Sequence, residues 1–351
     1  MQHTQTTVLL IDATHPEPPV IEHAAALLRA GELVIFPTET VYGLGADTLQ
    51  PHAVQHIFTT KERALSDPLI VHIADEAALE ALVTDVPAQA RQLTHAFWPG
   101  PLTLVLPASS RVPKLVTAGL DTVAIRMPRH PVALALIRAA GVPVAAPSAN
   151  RFMHVSPTTA QHALADLNGR VPLVLDGGPC AVGVESTVLD LCSETPTILR
   201  PGGVSLEALR SVLPNVQFSV REPSQLQEGQ KAPGQLLVHY APKVPAFLFD
   251  GPVEAMRKAI LAEVEQRQAR GEHVGVLIAD EDFAAFQGSG ACIYRLGSTL
   301  EQVASRLFAG LRVLEESGVN IILCRSFEAQ GLGLAIRDRL LKASGGNVVS
   351  L

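Results

Sequence analysis

Aromatic residues are scarce in this chain of 351 residues: 11 Phe, 3 Tyr and 1 Trp make up 4% of it. The apolar share of 47% is therefore carried mostly by Ala, Val, Leu and Ile, the usual filling of helix-covered sheets. Charge is sparse too, at 17%, and the net charge of −7 gives no global attraction for a polyanion. Stable tRNA binding is not expected on that ground, and any RNA contact needs a local basic patch. The 4 cysteines, Cys180, Cys192, Cys292 and Cys324, form no CxxC pair and no Cys/His cluster of zinc-site spacing, so they read as reduced, mostly packed thiols. His52 and His56 stand four apart, but the Ala-Val-Gln between them offers no glutamate base, which excludes the zinc-protease motif. No apolar run reaches the roughly 18 residues that a membrane span needs, and residues 1–14 lack a signal-peptide pattern. A cytoplasmic protein with no membrane partner is the expectation.

The length suits two domains, each with its own core. A helical stripe over residues 20–30 stops at Gly31, and residues 33–36 read as a buried strand. That strand runs into Pro37-Thr38-Glu39-Thr40-Val41-Tyr42-Gly43-Leu44-Gly45, whose hydroxyls, carboxylate and glycines can orient a polar ligand. It has neither phosphate-loop pattern, GxxxxGK[ST] or GxGxxG, so positive charge must come from elsewhere. Lys61 and Arg63 lie two apart before Pro68, either facing one ligand from a loop or standing as a solvated pair. His72 alternates with Val71 and Ile73 and reads as a satisfied core histidine. Arg126 and Arg200 each close an apolar strand, a place that suits a structural ion pair or a bound carboxylate or phosphate.

The run at 142–147 reads as a buried strand delivering Ser148-Ala149-Asn150 at its carboxyl end, where α/β proteins place ligands, although an ordinary turn has the same composition. Ser156 before Pro157 reads as a helix cap. The polar tract at 214–231 has no periodicity, and strands and helices then alternate over 246–343. The expected division is a catalytic domain at 1–213, a linker or lid at 214–244 and a small Rossmann-like α/β domain at 245–351.

The segments PTETVYGLG, KER with DPLIVHI, TVAIRMP, APSAN, SPTT, DGG with ESTV, LRPGG and HYAP stand in this order. Together they resemble the YrdC-like family, and the two-domain layout is similar to its long form, the threonylcarbamoyl-AMP synthases. The resemblance implies an α/β fold: an N-terminal YrdC-like twisted mixed sheet with flanking helices, plus the smaller Rossmann-like domain. It implies formation of threonylcarbamoyl-adenylate and pyrophosphate from L-threonine, bicarbonate or CO2, and ATP, with Mg2+ arriving on ATP and no metal site from the protein alone. Downstream transferase proteins would place the threonylcarbamoyl group on tRNA.

By the same resemblance Lys61 and Arg63 form the catalytic pair on the triphosphate. Thr40, His72, Arg126 and Ser186 match threonine-side positions. Asp67, Thr122, Ala146, Ser148, Asn150, Ser156, Arg200 and Tyr240 match nucleotide-side positions, Tyr240 from a linker that reaches over the site. The chain departs from the family at Glu62 and Ala64, where Lys-Gly-Arg-Pro is common, at Phe152-Met153-His154, where a glycine and a basic residue are common, and at Ala232, where serine is usual. Two other activities compete: a carbamoyl-adenylate-forming maturation factor and an RNA-binding YrdC-like module.

Overall fold

The computed structural model describes residues 5–218 and 240–351, which fall into two compact units. The first holds residues 5–152, 156–181 and 185–218; the second holds 153–155, 182–184 and 240–351. Most of the expected linker, together with Ala232 and His239, lies outside the described residues.

In the first unit the elements run β1 (Thr7–Leu10), α1 (Pro18–Arg29), β2 (Val34–Phe36), β3 (Gly43–Asp47), α2 (Pro51–Lys61), β4 (Ile70–His72), α3 (Glu76–Leu82), α4 (Ala88–Phe97), β5 (Leu102–Pro107) and β6 (Thr122–Arg126). They continue with α5 (Pro131–Ala140), β7 (Val144–Ala145), α6 (Ala160–Leu167), β8 (Leu173–Asp176), β9 (Thr187–Asp190), β10 (Thr197–Arg200), α7 (Leu206–Val212) and β11 (Gln217–Phe218). The described strands form one mixed sheet of 11, ordered β1-β8-β2-β3-β7-β4-β6-β5-β9-β10-β11.

Side-chain alternation divides the core between the two faces of this sheet. Ile35 packs with Leu44 and Val71 on one face, while its neighbours Val34 and Phe36 pack on the other with Ile21 and Leu28 of α1 and Val132 and Leu136 of α5. Each such buried aliphatic side chain contributes about 1.5–3 kcal/mol. Register then sets polar residues in a row: His72 lies opposite Arg126 across β4 and β6, and Arg126 lies opposite Thr103 across β6 and β5. Paired residues share a face, so this row brings an imidazole, a guanidinium and a hydroxyl to one side of an otherwise apolar sheet.

Several elements differ from expectation. The glycine-rich stretch after β2 is not all loop, because Gly43–Asp47 returns as β3 in an antiparallel pair with β2. Glycine hides this strand from composition, yet the fold requires it: a Cβ on Gly45 would lie 2.7 Å from the Phe36 ring and 2.9 Å from Val144. The run at 142–147 contributes only the two residues of β7, since Pro143 and Pro147 have no N–H to donate. Helix α6 begins after Thr159, whose side chain accepts from the His162 N–H, so Ser156 is not its cap.

In the second unit β12 (Ala246–Asp250), α8 (Val253–Gln268), β13 (Val274–Ile278), α9 (Phe283–Phe286), β14 (Cys292–Arg295), α10 (Leu300–Glu316), β15 (Ile321–Arg325), α11 (Gly333–Ala343) and β16 (Val348–Ser350) follow in order. Its five described strands are all parallel, ordered β14-β13-β15-β12-β16, around a core of Ile260, Val264, Val276, Ile278 and Leu323. No helix among the described residues is long and apolar enough to cross a membrane.

Gly45→Ala is expected to destabilise the first unit by about 1–3 kcal/mol, because the added methyl must displace a buried ring. Urea unfolding measures this, and an unchanged midpoint would contradict the packing described for β3.

Candidate active site

Lys61 is the last residue of α2, not part of a loop, and Glu62 behind it is a left-handed cap at φ 58°. That conformation favours glycine, the residue common at this position in the resembling family. Glu62, itself half-exposed, is held there by ion pairs to Arg151 at 2.7 Å and Arg170 at 2.9 Å, both reached by solvent and therefore of small energetic weight. The cap turns the chain so that Arg63 follows Lys61 into the interior. The Lys61 ammonium donates to the carbonyls of Ser148, at 2.6 Å, and Asn150. Arg63 meets the Asp67 carboxylate at 2.8 Å, donates to the Pro68 carbonyl at 2.9 Å and lies 5.9 Å from the Phe152 ring centre. Both cations are buried. Burial and, second, the adjacent Arg63 push Lys61 well below its ordinary value. Burial raises the Asp67 carboxyl, with Arg63, Lys61 and Arg200 pulling it back.

The Ser148-Ala149-Asn150 turn is fixed by main-chain bonds to β3 and the residue before it. Leu44 N–H donates to the Pro147 carbonyl at 2.8 Å, and Ala149 N–H donates to the Tyr42 carbonyl at 2.8 Å. Asn150 is buried, and its side-chain amide donates to the Arg151 carbonyl at 2.8 Å. Ala146 N–H donates to the Ile70 carbonyl, tying the same segment to β4.

Arg126 closes β6 with its guanidinium shared among three partners: the Thr40 hydroxyl at 2.9 Å, the Gly100 carbonyl at 3.3 Å and the Glu39 carboxylate at 2.8 Å. Glu39 stood in the motif without a role, because sequence alone does not reveal which cation a carboxylate meets. Beyond Arg126 in register, the Thr103 hydroxyl lies 2.8 Å from the Ser186 hydroxyl. Arg200 Nη2 donates to the Ser186 carbonyl at 3.0 Å and its hydroxyl at 3.2 Å. Ser156 donates to the Glu185 carboxylate at 2.6 Å. Thr103 and Glu185 carried no signal of their own: one sits in an apolar strand and the other in a glycine-rich loop.

His72 is 4% exposed and packs edge-on against Phe36 with ring centres 6.3 Å apart. Its Nδ1 meets no hydrogen-bond partner of good geometry among the described residues, while the main chain of Ile70 and Val144 acts on the ring. Burial first, and the Arg126 charge second, lower it from 6.5 to about 3, which keeps the ring neutral near pH 7. Thr122 opens the strand that Arg126 closes, about 13 Å away along β6, and pairs in register with Pro107.

Tyr240 belongs to the second unit. It is buried at φ 61°, with Phe308 at 5.5 Å between ring centres and the Arg339 guanidinium 4.9 Å from its ring. The loop after Asn150 divides at Phe152. Met153–Val155 go with the second unit, where the Met153 carbonyl accepts from Ala241 and His154 lies 3.2 Å from Glu315. Met153 has φ 68°, again a conformation that favours glycine. Cys180 is buried, and burial followed by the Glu39 charge raises its thiol, which makes it a poor nucleophile. No group of three or more metal-ligating side chains lies together among the described residues.

Comparison with known proteins accounts for both units. The Sua5_yciO_yrdC family, described as "Telomere recombination", matches residues 26–202, and the family described as "Threonylcarbamoyl-AMP synthase, C-terminal domain" matches 204–345. The chain is 43% identical over 335 residues to a threonylcarbamoyl-AMP synthase of Pyrococcus abyssi, covering 94% of this chain and 96% of that one. It is 45% identical over 332 residues to a Bacillus subtilis protein of the same name, covering 94% of each. A crystal structure of P. abyssi Sua5 complexed with L-threonine superposes with a TM-score of 0.91 at 42% identity, covering 98% of this chain and 99% of that one.

A neutral buried histidine gives a signed pH test. The unfolded chain takes up a proton at His72 below about 6.5 and the folded chain only near 3, so this contribution to stability is complete above pH 6.5 and is lost as pH falls. The expected slope is about 1.4 kcal/mol per pH unit. His72→Gln removes that part of the decline in denaturant titrations between pH 6 and 4; an unaltered slope would contradict the neutral assignment.

Proposed function

The chain belongs to the Sua5/YciO/YrdC family, and on that premise we propose that it makes threonylcarbamoyl-AMP from L-threonine, bicarbonate or CO2, and ATP, for modification of tRNA. One observation supports this most: two groups of buried charged and polar residues on the same unit. Lys61 and Arg63 stand with Asp67, which also feels the Arg200 charge, and Arg200 bonds Ser186, whose hydroxyl meets Thr103; Thr103 lies opposite Arg126 in register, and Arg126 meets Thr40 and Glu39. Cations in both groups suit a reaction that joins two anionic substrates.

The chemistry needs no protein nucleophile. The threonine nitrogen, once its ammonium has lost a proton, bonds as the free amine to the carbon of CO2 and releases a second proton to solvent, giving a carbamate whose oxygen attacks the α-phosphorus of ATP while the bond to the β-phosphate oxygen breaks and pyrophosphate leaves. The protein's task is to align these groups, neutralise charge and exclude water. Lys61 and Arg63 face the triphosphate and stabilise the departing pyrophosphate, and Mg2+ comes with the nucleotide. Arg126 takes the threonine carboxylate, with Thr40, His72 and Ser186 around the rest of the molecule. Ser148, Asn150, Ser156 and Arg200 lie on the nucleotide side with Asp67, Thr122 and Ala146. Tyr240 is assigned to the nucleotide by the family motif. The L-threonine bound to the P. abyssi relative supports the amino-acid half of this reading.

Pyrophosphate release from ATP and bicarbonate is expected to depend on added L-threonine. Lys61→Ala should lower it by about a hundredfold, the scale of removing one donor to developing charge. Arg63→Lys, which keeps the charge but loses the fork to Asp67 and Pro68, should also lower it, and Cys180→Ala should leave it within a few fold. Release that ignores threonine, or full activity in Lys61→Ala, would overturn the assignment.

A further inference from the structure

Amino acids are zwitterions near neutral pH, and the assigned threonine-side residues are unbalanced. Thr40, His72, Arg126 and Ser186 offer hydroxyls, a neutral imidazole and a cation, but no anion. An ammonium group brought into such a site would be a buried charge without a partner, an arrangement that weakens binding and that proteins rarely leave unmet. The carboxylate that touches this group is Glu39.

Glu39 is 6% exposed and Arg126 3%. Their charged atoms, Oε2 and Nη2, lie 2.8 Å apart, yet the N–H is not aimed along the contact, and neither atom makes a hydrogen bond among the described residues. Glu39 Oε1 has no hydrogen-bond partner among them either. A buried carboxylate and a buried guanidinium nitrogen therefore stand side by side, each with unused hydrogen-bonding capacity, next to the Thr40 hydroxyl that already accepts from Arg126 Nη1. Buried polar atoms in folded proteins are almost always satisfied, so two adjacent exceptions of opposite sign point to a ligand that carries both complementary charges on neighbouring atoms. An α-amino acid does. Two titratable groups face Glu39 from other segments, His130 and Cys180; burial lowers the first and raises the second, so neither adds a formal charge to the pair near pH 7.

We propose that Glu39 is the anionic partner of the substrate's α-ammonium group, pairing with it while Arg126 holds the carboxylate, so that the two residues together select an α-amino acid. This rests on the functional reading above and adds a specificity-determining residue to it. Glu39 binds and orients; it forms no covalent bond.

The test compares two ligands by calorimetry on the full chain, L-threonine and its 2-hydroxy analogue 2,3-dihydroxybutanoate, which keeps the carboxylate and the side-chain hydroxyl but carries a neutral hydroxyl in place of the ammonium. Glu39→Gln is expected to weaken threonine by about ten- to a hundredfold while changing the analogue by less than about threefold. If Glu39 only steadies Arg126, both ligands weaken alike, and that result overturns the proposal while leaving the functional reading intact. Failure of the unmodified chain to bind threonine would overturn the functional reading itself. Glu39→Asp keeps the charge and is measured in parallel: it should retain part of the preference for threonine, and it carries the same comparison if Glu39→Gln does not fold. A Glu39→Asp chain that binds the analogue and threonine with unchanged relative affinity, alongside a Glu39→Gln chain that does the same, also overturns the proposal.

Discussion

The ammonium of Lys61, bonded to the carbonyls of Ser148 and Asn150, is the contact on which the site depends. It ties the end of α2, where Glu62 is a left-handed cap, to the turn that follows β7, two segments remote in sequence. A lysine in that position cannot be solvated by water, so the main chain itself must supply the acceptors, and those acceptors fix the turn in return. Arg63 has the same problem and solves it with Asp67 and the Pro68 carbonyl. Removing one member of such a buried pair costs about 3–5 kcal/mol, which makes the segment between Lys61 and Pro68 a single electrostatic unit.

The sheet contributes by register. His72, Arg126 and Thr103 come from three strands and are adjacent because β4, β6 and β5 pair with those residues opposite one another. Their side chains share the face on which Phe36 packs, so the polar row is walled by apolar side chains. That environment keeps His72 neutral and strengthens every charge interaction near Arg126.

Much of this was legible in the residues. The strand ends bearing Arg126 and Arg200, the Lys61 and Arg63 pair and the Ser148-Ala149-Asn150 turn were all marked by polar groups emerging from apolar runs. The alternation of strands and helices after residue 246 gave the second domain's parallel sheet. The rest was hidden for identifiable reasons. β3 was masked by Gly43 and Gly45, whose lack of a side chain lowers strand propensity but admits the Phe36 ring. Thr159 and not Ser156 caps α6, because the Ser156 hydroxyl is taken by Glu185, 29 positions away, and local capping rules cannot see such a partner. Glu39 was invisible as a site residue until Arg126 was placed beside it. The glycine-favouring conformations at Glu62 and Met153 explain why those departures from the family pattern matter to the backbone more than to charge.

The central claim is that these two buried groups hold an amino acid at Arg126 and a nucleotide at Lys61. A crystal structure of the chain with L-threonine and a non-hydrolysable ATP analogue tests it most directly. The account predicts the threonine carboxylate on Arg126 and the phosphates on Lys61 and Arg63. Phosphates found away from both cations, or threonine bound with no contact to Arg126, would contradict it.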